Sequence, residues 1–224
     1  MARIMLVLAA TLIIAAPAWA DCGDRARPGV DWSDCFMASK YLVRDNLAGA
    51  KLVKTNLNGT NLSNAVLTGA DLSKANITYA TLLNAEMSGA NLSDAIAVRA
   101  RLEGAVLAGA NLQKAELLRA NLKGVDMTGA NLYSTQLVRA DVRGAQLSHA
   151  NLTHANLVRT DLRGASLAGT ILTAAYMFRT RIEGLDLSRT QGLGPDQLET
   201  ACGDNKTALP PGLIVPGSWP CQVD

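Results

Sequence analysis

Residues 148–167 read SHANLTHANLVRTDLRGASL, and leucine returns at every fifth position of this stretch: Leu152, Leu157, Leu162 and Leu167. An alanine or a threonine stands two residues before each of these leucines. A half-buried strand repeats every two residues and an amphipathic helix every 3.6, so neither element explains a spacing of five. The stretch therefore indicates a repeat architecture in which each unit of five residues is one structural step.

The same five-residue frame runs without insertion or deletion through residues 30–189, which hold 32 consecutive units. Leucine occupies 23 of the 32 central positions, and alanine occupies 20 of the positions two residues earlier. Asparagine or aspartate fills 16 of the positions directly before the centre. A frame this strict over 160 residues indicates that the backbone geometry itself fixes the length of the unit.

A unit of five with two apolar or small positions suits a coil with four near-flat sides, so that four units close one turn of 20 residues. The central residue and the residue two before it point inward, and the other three face solvent. Successive coils then stack at the strand spacing of ~4.8 Å, because the backbone hydrogen bonds run between coils. Thirty-two units predict about eight coils and a rod of about 38 Å at that rise. A solenoid of helix pairs is excluded, since its repeats need 20 residues or more.

Units such as ADLSK, ANLSD, ANLQK, ANLKG and ANLTH resemble the A(D/N)LXX motif of the pentapeptide repeat family. The resemblance covers residues 30–189, and it implies an all-β fold, the right-handed quadrilateral β-helix. The first units, VDWSD, CFMAS and KYLVR, depart from the motif and are interpreted as the entry coil. The best understood members of the family mimic DNA and bind type II topoisomerases in the cytoplasm. That activity is the alternative function for this chain, and two further features of the sequence disfavour it.

The first feature is the N-terminal segment 1–20, MARIMLVLAATLIIAAPAWA, which has the pattern of a secretory signal peptide. It combines the basic residue Arg3, a short apolar run and an A-x-A cleavage motif that ends at Ala20. The apolar run is short for a membrane span of about 20 residues, which favours cleavage over anchoring. Cys22 does not directly follow Ala20, as the cysteine of a lipoprotein would. The segment predicts an exported protein, either periplasmic or secreted.

The second feature is the charge of the chain after cleavage. Without Arg3 it carries 20 basic and 19 acidic residues, which gives a net charge of +1. This balance predicts neither bulk attraction to nucleic acid nor an acidic imitation of it. Any electrostatic function must then come from the local arrangement of charges.

Four cysteines lie at the two ends of the repeat: Cys22, Cys35, Cys202 and Cys221. An even number of cysteines in an exported protein indicates disulfides. Three pairings are possible, and the local one, Cys22–Cys35 with Cys202–Cys221, is favoured because the two pairs flank a long repeat. A zinc site is the alternative, but the spacings contain no C-x-x-C pair.

The segments outside the repeat, residues 21–29 and 190–224, are interpreted as an N-terminal and a C-terminal cap. An open stack would expose apolar side chains and unpaired strand groups at both ends, which invites aggregation. In the C-terminal segment, Pro195 suits the first position of a short helix and Gly203 suits its stop. The remaining proline-rich stretch is expected to pack over the last coil with Trp219. A tail that docks onto a partner is the alternative interpretation.

Stacking at 20 residues turns sequence into columns on the surface. One column holds five arginines at the second position after the centre, and the adjoining column holds five apolar residues. We call these ten residues the arginine strip: Arg99, Arg119, Arg139, Arg159, Arg179, Val98, Leu118, Val138, Val158 and Phe178.

Two interpretations of the arginine strip are open at the level of sequence. In the first, the arginines pair with the carboxylates at one edge of this face, Glu103, Asp141, Asp161 and Glu183, and the strip is a solvated face. In the second, an apolar column flanked by cations binds an anionic or amphiphilic partner. The partner is an unknown protein or anionic ligand, with no specific nucleic acid, and the chain is a monomer or a homodimer.

Catalysis is poorly supported by the sequence. The two histidines, His149 and His154, belong to adjacent sides of a coil and are expected to face solvent. No spacing typical of a catalytic triad, a phosphate loop or a metal site stands out, and a regular rod offers no concave pocket. We therefore expect a non-enzymatic binding or structural module without catalytic, cofactor-binding or metal-binding residues and without a cofactor.

The signal peptide gives a first testable prediction. Secreted or periplasmic protein should begin at Asp21, because signal peptidase cleaves after the small residues of the A-x-A motif. Intact-mass measurement and N-terminal sequencing of the exported protein check this result. Ala18→Leu should block processing and leave the precursor at the membrane, whereas Ala16→Leu, which lies outside the motif, should be processed normally. Recovery of the unprocessed chain from the cytoplasm would contradict the prediction.

Overall fold

A computed structural model describes residues 20–221 of the chain. The predicted signal peptide therefore lies outside the described residues, apart from its last residue, Ala20. No helix within residues 20–221 has the length and apolar character needed to cross a bilayer.

Parallel β-bridges link each coil to the next, with one bridged residue in every unit of five. The first bridge joins Asp31 to Lys51, and partners 20 residues apart continue along the chain as far as the pair Ile171 and Gln191. The bridges are isolated single-residue contacts within the described chain, so the coils have no continuous strands. Four units thus make one coil of 20 residues, and the predicted β-helical solenoid is confirmed.

Each unit ends in a tight turn that moves the chain to the next side of the coil. In the unit centred on Leu47, the backbone N–H of Ala50 donates to the carbonyl of Leu47 at 3.0 Å. The second residue of this turn, Gly49, has φ of 62°. Positive φ at this position together with the three-residue hydrogen bond is the signature of a type II turn. The turn repeats every five residues, which explains the period seen in the sequence.

The interior of the coils is built from the two inward positions of each unit, except in the entry coil, where Lys40 is exposed and Asp45 is half-buried because a charged side chain does not pack in the apolar interior. The central residues form continuous apolar stacks, and most are fully buried, for example Leu92, Leu112 and Leu132. Alanine at the other position lets the chain pass close to the axis. Where threonine replaces alanine, its hydroxyl stays satisfied, because Thr170 Oγ1 donates to the carbonyl of Leu147 at 2.7 Å. The threonine side chain therefore adds a bond between coils without leaving a buried polar group unpaired.

The asparagines before the centres stabilise the turns. Asn111 Oδ1 accepts from the backbone N–H of Gln113 at 3.2 Å, which is the Asx-type bond expected at such a position. Its Nδ2 also donates to Asn91 Oδ1 at 3.1 Å in the coil before it. The asparagine column thus links neighbouring coils as well as single turns.

The N-terminal cap is held by the disulfide between Cys22 and Cys35, with a Cα–Cα distance of 5.5 Å. Trp32, which occupies the first central position, is 1% exposed. Met37, Leu42 and Leu47 complete the first coil and are also buried. The predicted local pairing of Cys22 with Cys35 is confirmed.

The C-terminal cap continues the stack after the repeat ends. Its helix α1 spans Pro195–Thr200, so the predicted proline start is confirmed. Gln197 Nε2 donates to the carbonyls of Leu172 and Ala175 at 2.8 Å and 3.0 Å, which satisfies acceptors of the last regular coil. Beyond α1, Cys202 forms a bridge to Arg181, 21 residues away, where the regular offset is 20. The cap therefore reproduces the coil register with small insertions.

Gly203 does not have the predicted role as the helix stop. Helix α1 ends at Thr200, and its C-cap is Ala201, two residues before Gly203. Gly203 instead lies under the ring of Trp219, which a Cβ at this position would overlap. The Trp219 indole N–H donates to the carbonyl of Ala201 at 2.8 Å, and the confirmed disulfide Cys202–Cys221 fixes the tail nearby. The glycine is required by packing, because the C-terminal tail closes over the helix at this point.

The interior offers a test of packing at Ala97, the one central position of the repeat that holds alanine. Its side chain is buried, while Ile96 remains partly exposed and does not fill the missing volume. Ala97→Leu should therefore be neutral or raise the free energy of unfolding by about 1 kcal/mol, because a leucine completes the stack between Ile77 and Leu117. Chemical denaturation measures the change. A loss of more than about 1 kcal/mol would show that the interior has already closed around the methyl group.

A candidate binding groove along the arginine strip

The arginine strip lies on one corner of the coils, where the chain turns from one side to the next. In each of the five coils, an apolar residue and the arginine after it are the two central residues of the turn, as in Val138 and Arg139. Turn residues project from the corner, so successive coils place their arginines in one straight column. At the coil rise, neighbouring members of the column are separated by ~4.8 Å.

An open groove of about 750 Å³ runs along this corner. It extends over four consecutive coils, and one further residue, Tyr79, stands at its N-terminal end. The structure thus brings together eight of the ten residues of the arginine strip as groove lining: Val98, Arg99, Leu118, Arg119, Val138, Arg139, Val158 and Arg159.

The last pair of the strip, Phe178 and Arg179, does not line the groove. The C-terminal cap lies against this coil, since the backbone N–H of Arg179 donates to the carbonyl of Thr200 at 2.7 Å. The Arg179 guanidinium carbon is 6.0 Å from the centre of the Phe178 ring. This pair continues the two columns in sequence, but the cap changes its surroundings.

The groove has an apolar floor and a cationic rim. Its four aliphatic side chains are half-buried, whereas the four arginines beside them are exposed. The aliphatic groups therefore keep apolar area open to a ligand, and the guanidinium groups can reach an anion placed above it. This combination suits a partner that carries negative charge along one side and apolar surface along another.

Tyr79 is not among the strip residues predicted from the sequence, although it stands 20 residues before Arg99 and so belongs to the same column. Arg99 Nη1 donates to the Tyr79 hydroxyl at 3.2 Å, and the guanidinium carbon is 5.8 Å from the ring centre. Tyr79 is 54% exposed. Extending the column by one coil would have identified it. Tyr79 fixes the first arginine and presents an aromatic surface at the end of the groove.

The four carboxylates at the edge of the strip are engaged by other cations. Arg143 Nη2 lies 2.7 Å from Asp141 Oδ2, and Arg163 Nη2 lies 2.6 Å from Asp161 Oδ2. The hydrogen bond from Arg143 is the main cause of a lowered pKa at Asp141. At Asp161 burial acts to raise the pKa, but the hydrogen bonds from Arg163 outweigh it and the pKa is lowered. Each aspartate is therefore already paired with the arginine two residues after it in the chain.

The two glutamates are also paired with arginines outside the groove. Glu103 lies 3.4 Å from Arg101 and accepts from Asn121 Nδ2 at 2.7 Å, while Glu183 lies 2.8 Å from Arg181. Within residues 20–221, no ion pair joins any of these four carboxylates to an arginine of the groove. The structure therefore does not show the ion pairs on which the first interpretation of the strip relies, and these four carboxylates do not compensate the positive charge of the groove.

The turn geometry does not require arginine. Arg139 adopts φ of 58°, a left-handed conformation that costs a non-glycine residue about 1–2 kcal/mol. Five residues later, Gly144 adopts φ of 68° at the equivalent turn on the next corner. In the five coils of the strip, this next corner holds only glycine: Gly104, Gly124, Gly144, Gly164 and Gly184. Arginine is thus present on one corner despite a backbone position that favours glycine.

No group of three or more histidine, cysteine or carboxylate side chains within residues 20–221 is arranged to hold a metal ion. His149 and His154 are both exposed, and the ring of His154 packs edge-on against Tyr133 at 5.5 Å. The geometry of the groove fits binding.

Comparison with known proteins supports this architecture. The family model described as pentapeptide repeats matches in eight copies, over residues 46–84, 85–124, 107–145, 115–153 and 145–184. HetL, a pentapeptide repeat protein involved in heterocyst differentiation regulation in the cyanobacterium Nostoc, is 30% identical, with 84% of this chain and 86% of HetL aligned and a TM-score of 0.39. A trypsin-treated form of QnrB1, a plasmid-mediated fluoroquinolone resistance protein, is 17% identical, with 81% and 86% of the chains aligned and a TM-score of 0.62. Comparison with curated proteins gave no significant match.

The fold and the groove define a β-helical solenoid that carries a cationic groove on one corner. The family match spans more than half of the sequence, and the chain belongs to the pentapeptide repeat family. Membership implies a right-handed β-helix, and the fold shared with QnrB1 agrees with it. Proteins of this family are generally structural or binding modules.

The turn geometry predicts that the arginines can be removed without loss of stability. Replacing Arg119, Arg139 and Arg159 together by glycine should leave the melting temperature unchanged or raise it. Relief of the left-handed strain offsets the greater flexibility that glycine gives the unfolded chain. Calorimetry of the triple variant checks this result, with Gly124→Ala and Gly144→Ala as controls that should lower stability at the same turn position. A loss of more than about 2 kcal/mol in the triple glycine variant would show that the arginines hold the coils together.

Proposed function

We propose that this pentapeptide repeat protein is an exported binding module that holds an anionic partner along the arginine strip. The partner lies in the groove, with its charge against the arginines and its apolar surface against the aliphatic floor. The protein performs no chemistry on the partner. The rigid coil stack keeps the binding groups in a fixed row, so little conformational entropy is lost on binding.

One observation carries the proposal, namely the coincidence of three features on the same four coils. These coils hold the groove, an uninterrupted row of exposed arginines and an uninterrupted row of half-buried aliphatics. The nearby carboxylates Asp141 and Asp161 are bonded to Arg143 and Arg163, which leaves the groove cations for an external anion. A purely structural corner needs none of these features, as the adjacent glycine corner illustrates.

The disulfides support export. Cys22–Cys35 and Cys202–Cys221 close both ends of the stack. Disulfides persist in oxidising compartments and are rare in the cytosol. Together with the signal-like segment 1–20, they favour a periplasmic or secreted location.

Topoisomerase binding by DNA mimicry is the alternative function, and the charge of the groove argues against it. A DNA mimic must present rows of negative charge, whereas this corner presents a row of arginines. The similarity to QnrB1 concerns the fold, at 17% identity. Cytoplasmic retention of the chain and binding to a type II topoisomerase would favour the alternative.

Capture from periplasmic or secreted material tests the proposal. The full chain, the triple variant Arg119→Gln, Arg139→Gln, Arg159→Gln and a matched control are immobilised at equal density. The control replaces Arg44, Lys74 and Lys114 by glutamine, which removes three exposed cations from the same turn position outside the groove. The chain and the control should retain a common partner, which the groove variant should lose because several weak charge pairs act together.

Two further conditions separate charge from apolar contact. Raising the salt concentration should release the partner from the unmodified chain, since exposed ion pairs are screened. Val138→Thr with Val158→Thr should weaken binding at every salt concentration, because these changes keep the shape but reduce apolar burial. Full retention of the partner by the triple glutamine variant, with its melting temperature unchanged, would contradict the proposal.

A further inference from the structure

We propose that the partner held in the groove is itself a β-solenoid, a protein of stacked coils that carries a straight column of carboxylates on one corner. This inference rests on the proposed function of the arginine strip and adds the kind of partner. Three features of the groove carry it, namely the spacing of the arginines, the backbone hydrogen bonds that fix this spacing, and the open shape of the groove.

The spacing of the groove arginines is fixed by their own backbone. The N–H groups of Arg99, Arg119 and Arg139 each donate to the carbonyl of the aliphatic strip residue in the next coil, at 2.9 Å, 3.0 Å and 2.9 Å. These bonds hold neighbouring coils at the strand spacing of ~4.8 Å. Each coil of the groove therefore adds one exposed cation and one half-buried aliphatic group at the same interval.

A second β-solenoid has the same interval, because its coils are joined by the same kind of backbone hydrogen bond. When two such stacks lie side by side, one carboxylate in every coil of the partner meets one arginine, and no mismatch grows along the row. The carboxylates repel one another as the arginines do, and contact between the two columns relieves both repulsions. Both columns are rigid, so the entropy cost of docking is incurred once for all four contacts.

The shape of the groove also suits a solenoid. The groove is open along four coils, with an apolar floor and a cationic rim. Turn residues project from the corner of a coil, so a column of aspartates or glutamates on the partner forms a ridge. This ridge can enter the groove with its carboxylates against the guanidinium groups and its methylene groups on the aliphatic floor.

Other anions fit the row less well. Side chains on one face of an extended acidic peptide are about 6.8 Å apart, so they fall about 2 Å further out of register with every coil. An α-helix advances about 5.4 Å per turn, and its side chains on one face follow steps of three or four residues, about 4.5 Å or 6.0 Å, that swing to either side of a straight line. A fatty acid carries a single carboxylate and leaves most of the arginines unused.

The partner is a different chain from this one. Within the repeat of this protein, no column holds more than two successive carboxylates, and the one such pair is Asp141 and Asp161. Both aspartates already form ion pairs with Arg143 and Arg163. A second copy of this protein therefore lacks the acidic column that the groove requires.

A charge-reversed copy of this protein is the probe, because it places one glutamate at a known position in each of four coils. This column probe carries Arg99→Glu, Arg119→Glu, Arg139→Glu and Arg159→Glu, and every chain is used with both disulfides intact. Isothermal titration calorimetry at low salt should show a one-to-one complex with the unmodified chain. Affinity should rise by about two- to fivefold for each glutamate when the four are introduced one at a time. Circular dichroism and the melting temperature establish that each probe is folded.

A matched control probe has the same net charge but no acidic column. It carries four charge reversals at exposed cations that share no column, Arg44→Glu, Lys74→Glu, Arg189→Glu and Lys206→Glu. This control should bind the unmodified chain at least about tenfold more weakly than the column probe does. A similar loss is expected when the unmodified chain is replaced by the triple variant Arg119→Gln, Arg139→Gln, Arg159→Gln, which locates the contact in the groove.

Two peptides test whether the stacked coils of the partner are needed. One is an oligoglutamate, and the other is an amphipathic helix with one glutamate per turn beside a leucine stripe. Each carries at least four carboxylates. Both should bind at least about tenfold more weakly than the column probe at the same salt concentration, because their charges leave the register and their chains lose conformational freedom on binding.

The outcomes separate this inference from the proposed function. Equal or tighter binding of either peptide, or of the control probe, would overturn the solenoid assignment and leave the anion-binding strip standing. A groove-dependent partner captured from exported material would do the same if its sequence lacked an acidic residue recurring once per coil. Unchanged binding of the column probe by the triple glutamine variant would overturn the location of the contact. Failure of the column probe and both peptides, together with the absence of a captured partner that depends on the groove, would overturn both proposals.

Discussion

The hydrogen bonds between residues 20 positions apart are the constraint on which the rest of this structure depends. A coil of four turns has no sheet of its own, so its backbone N–H and C=O groups must find partners in the coils before and after it. An insertion of a single residue would misalign every later bridge and move the leucines off the axis. The repeat therefore keeps its frame throughout residues 30–189, and departs from it only in the cap, where the bridge from Arg181 reaches Cys202.

The same constraint separates the interior from the surface. Two positions of each unit are fixed by packing, and the turn requires a residue that tolerates positive φ. Everything else on the corner is free to vary, and identical positions of successive coils form straight columns. Arginine in one such column and glycine in the next have the same effect on the fold, as Arg139 and Gly144 illustrate. A binding surface can therefore arise on this solenoid by substitution of one corner residue in each coil, without a change in the core.

The two ends need separate solutions because a stack of coils has no natural stop. At the N-terminus a disulfide and the large side chain of Trp32 close the first coil. At the C-terminus the Gln197 side chain replaces the missing backbone donors, and Trp219 closes over α1. Both ends use covalent bonds between cysteines, which is consistent with a protein that works in an oxidising compartment. The cap also lies against the last coil of the arginine strip, beyond the four coils over which the groove extends.

The sequence by itself determined the solenoid, its period and the identity of most of its buried positions, and it favoured the local pairing of the cysteines. These properties are local or strictly periodic, so spacing alone carries them: every fifth leucine must face the axis, and every twentieth residue must share a column. Only the tertiary structure decided which charged side chains of neighbouring columns form ion pairs. Ion pairing depends on the side-chain conformations of Arg143 and Arg163. In the structure these arginines form ion pairs with Asp141 and Asp161, so the two aspartates are not partners of the groove arginines. It also decided the position of Gly203 and the exclusion of Arg179 from the groove, because both follow from how an irregular tail packs, which no repeat encodes.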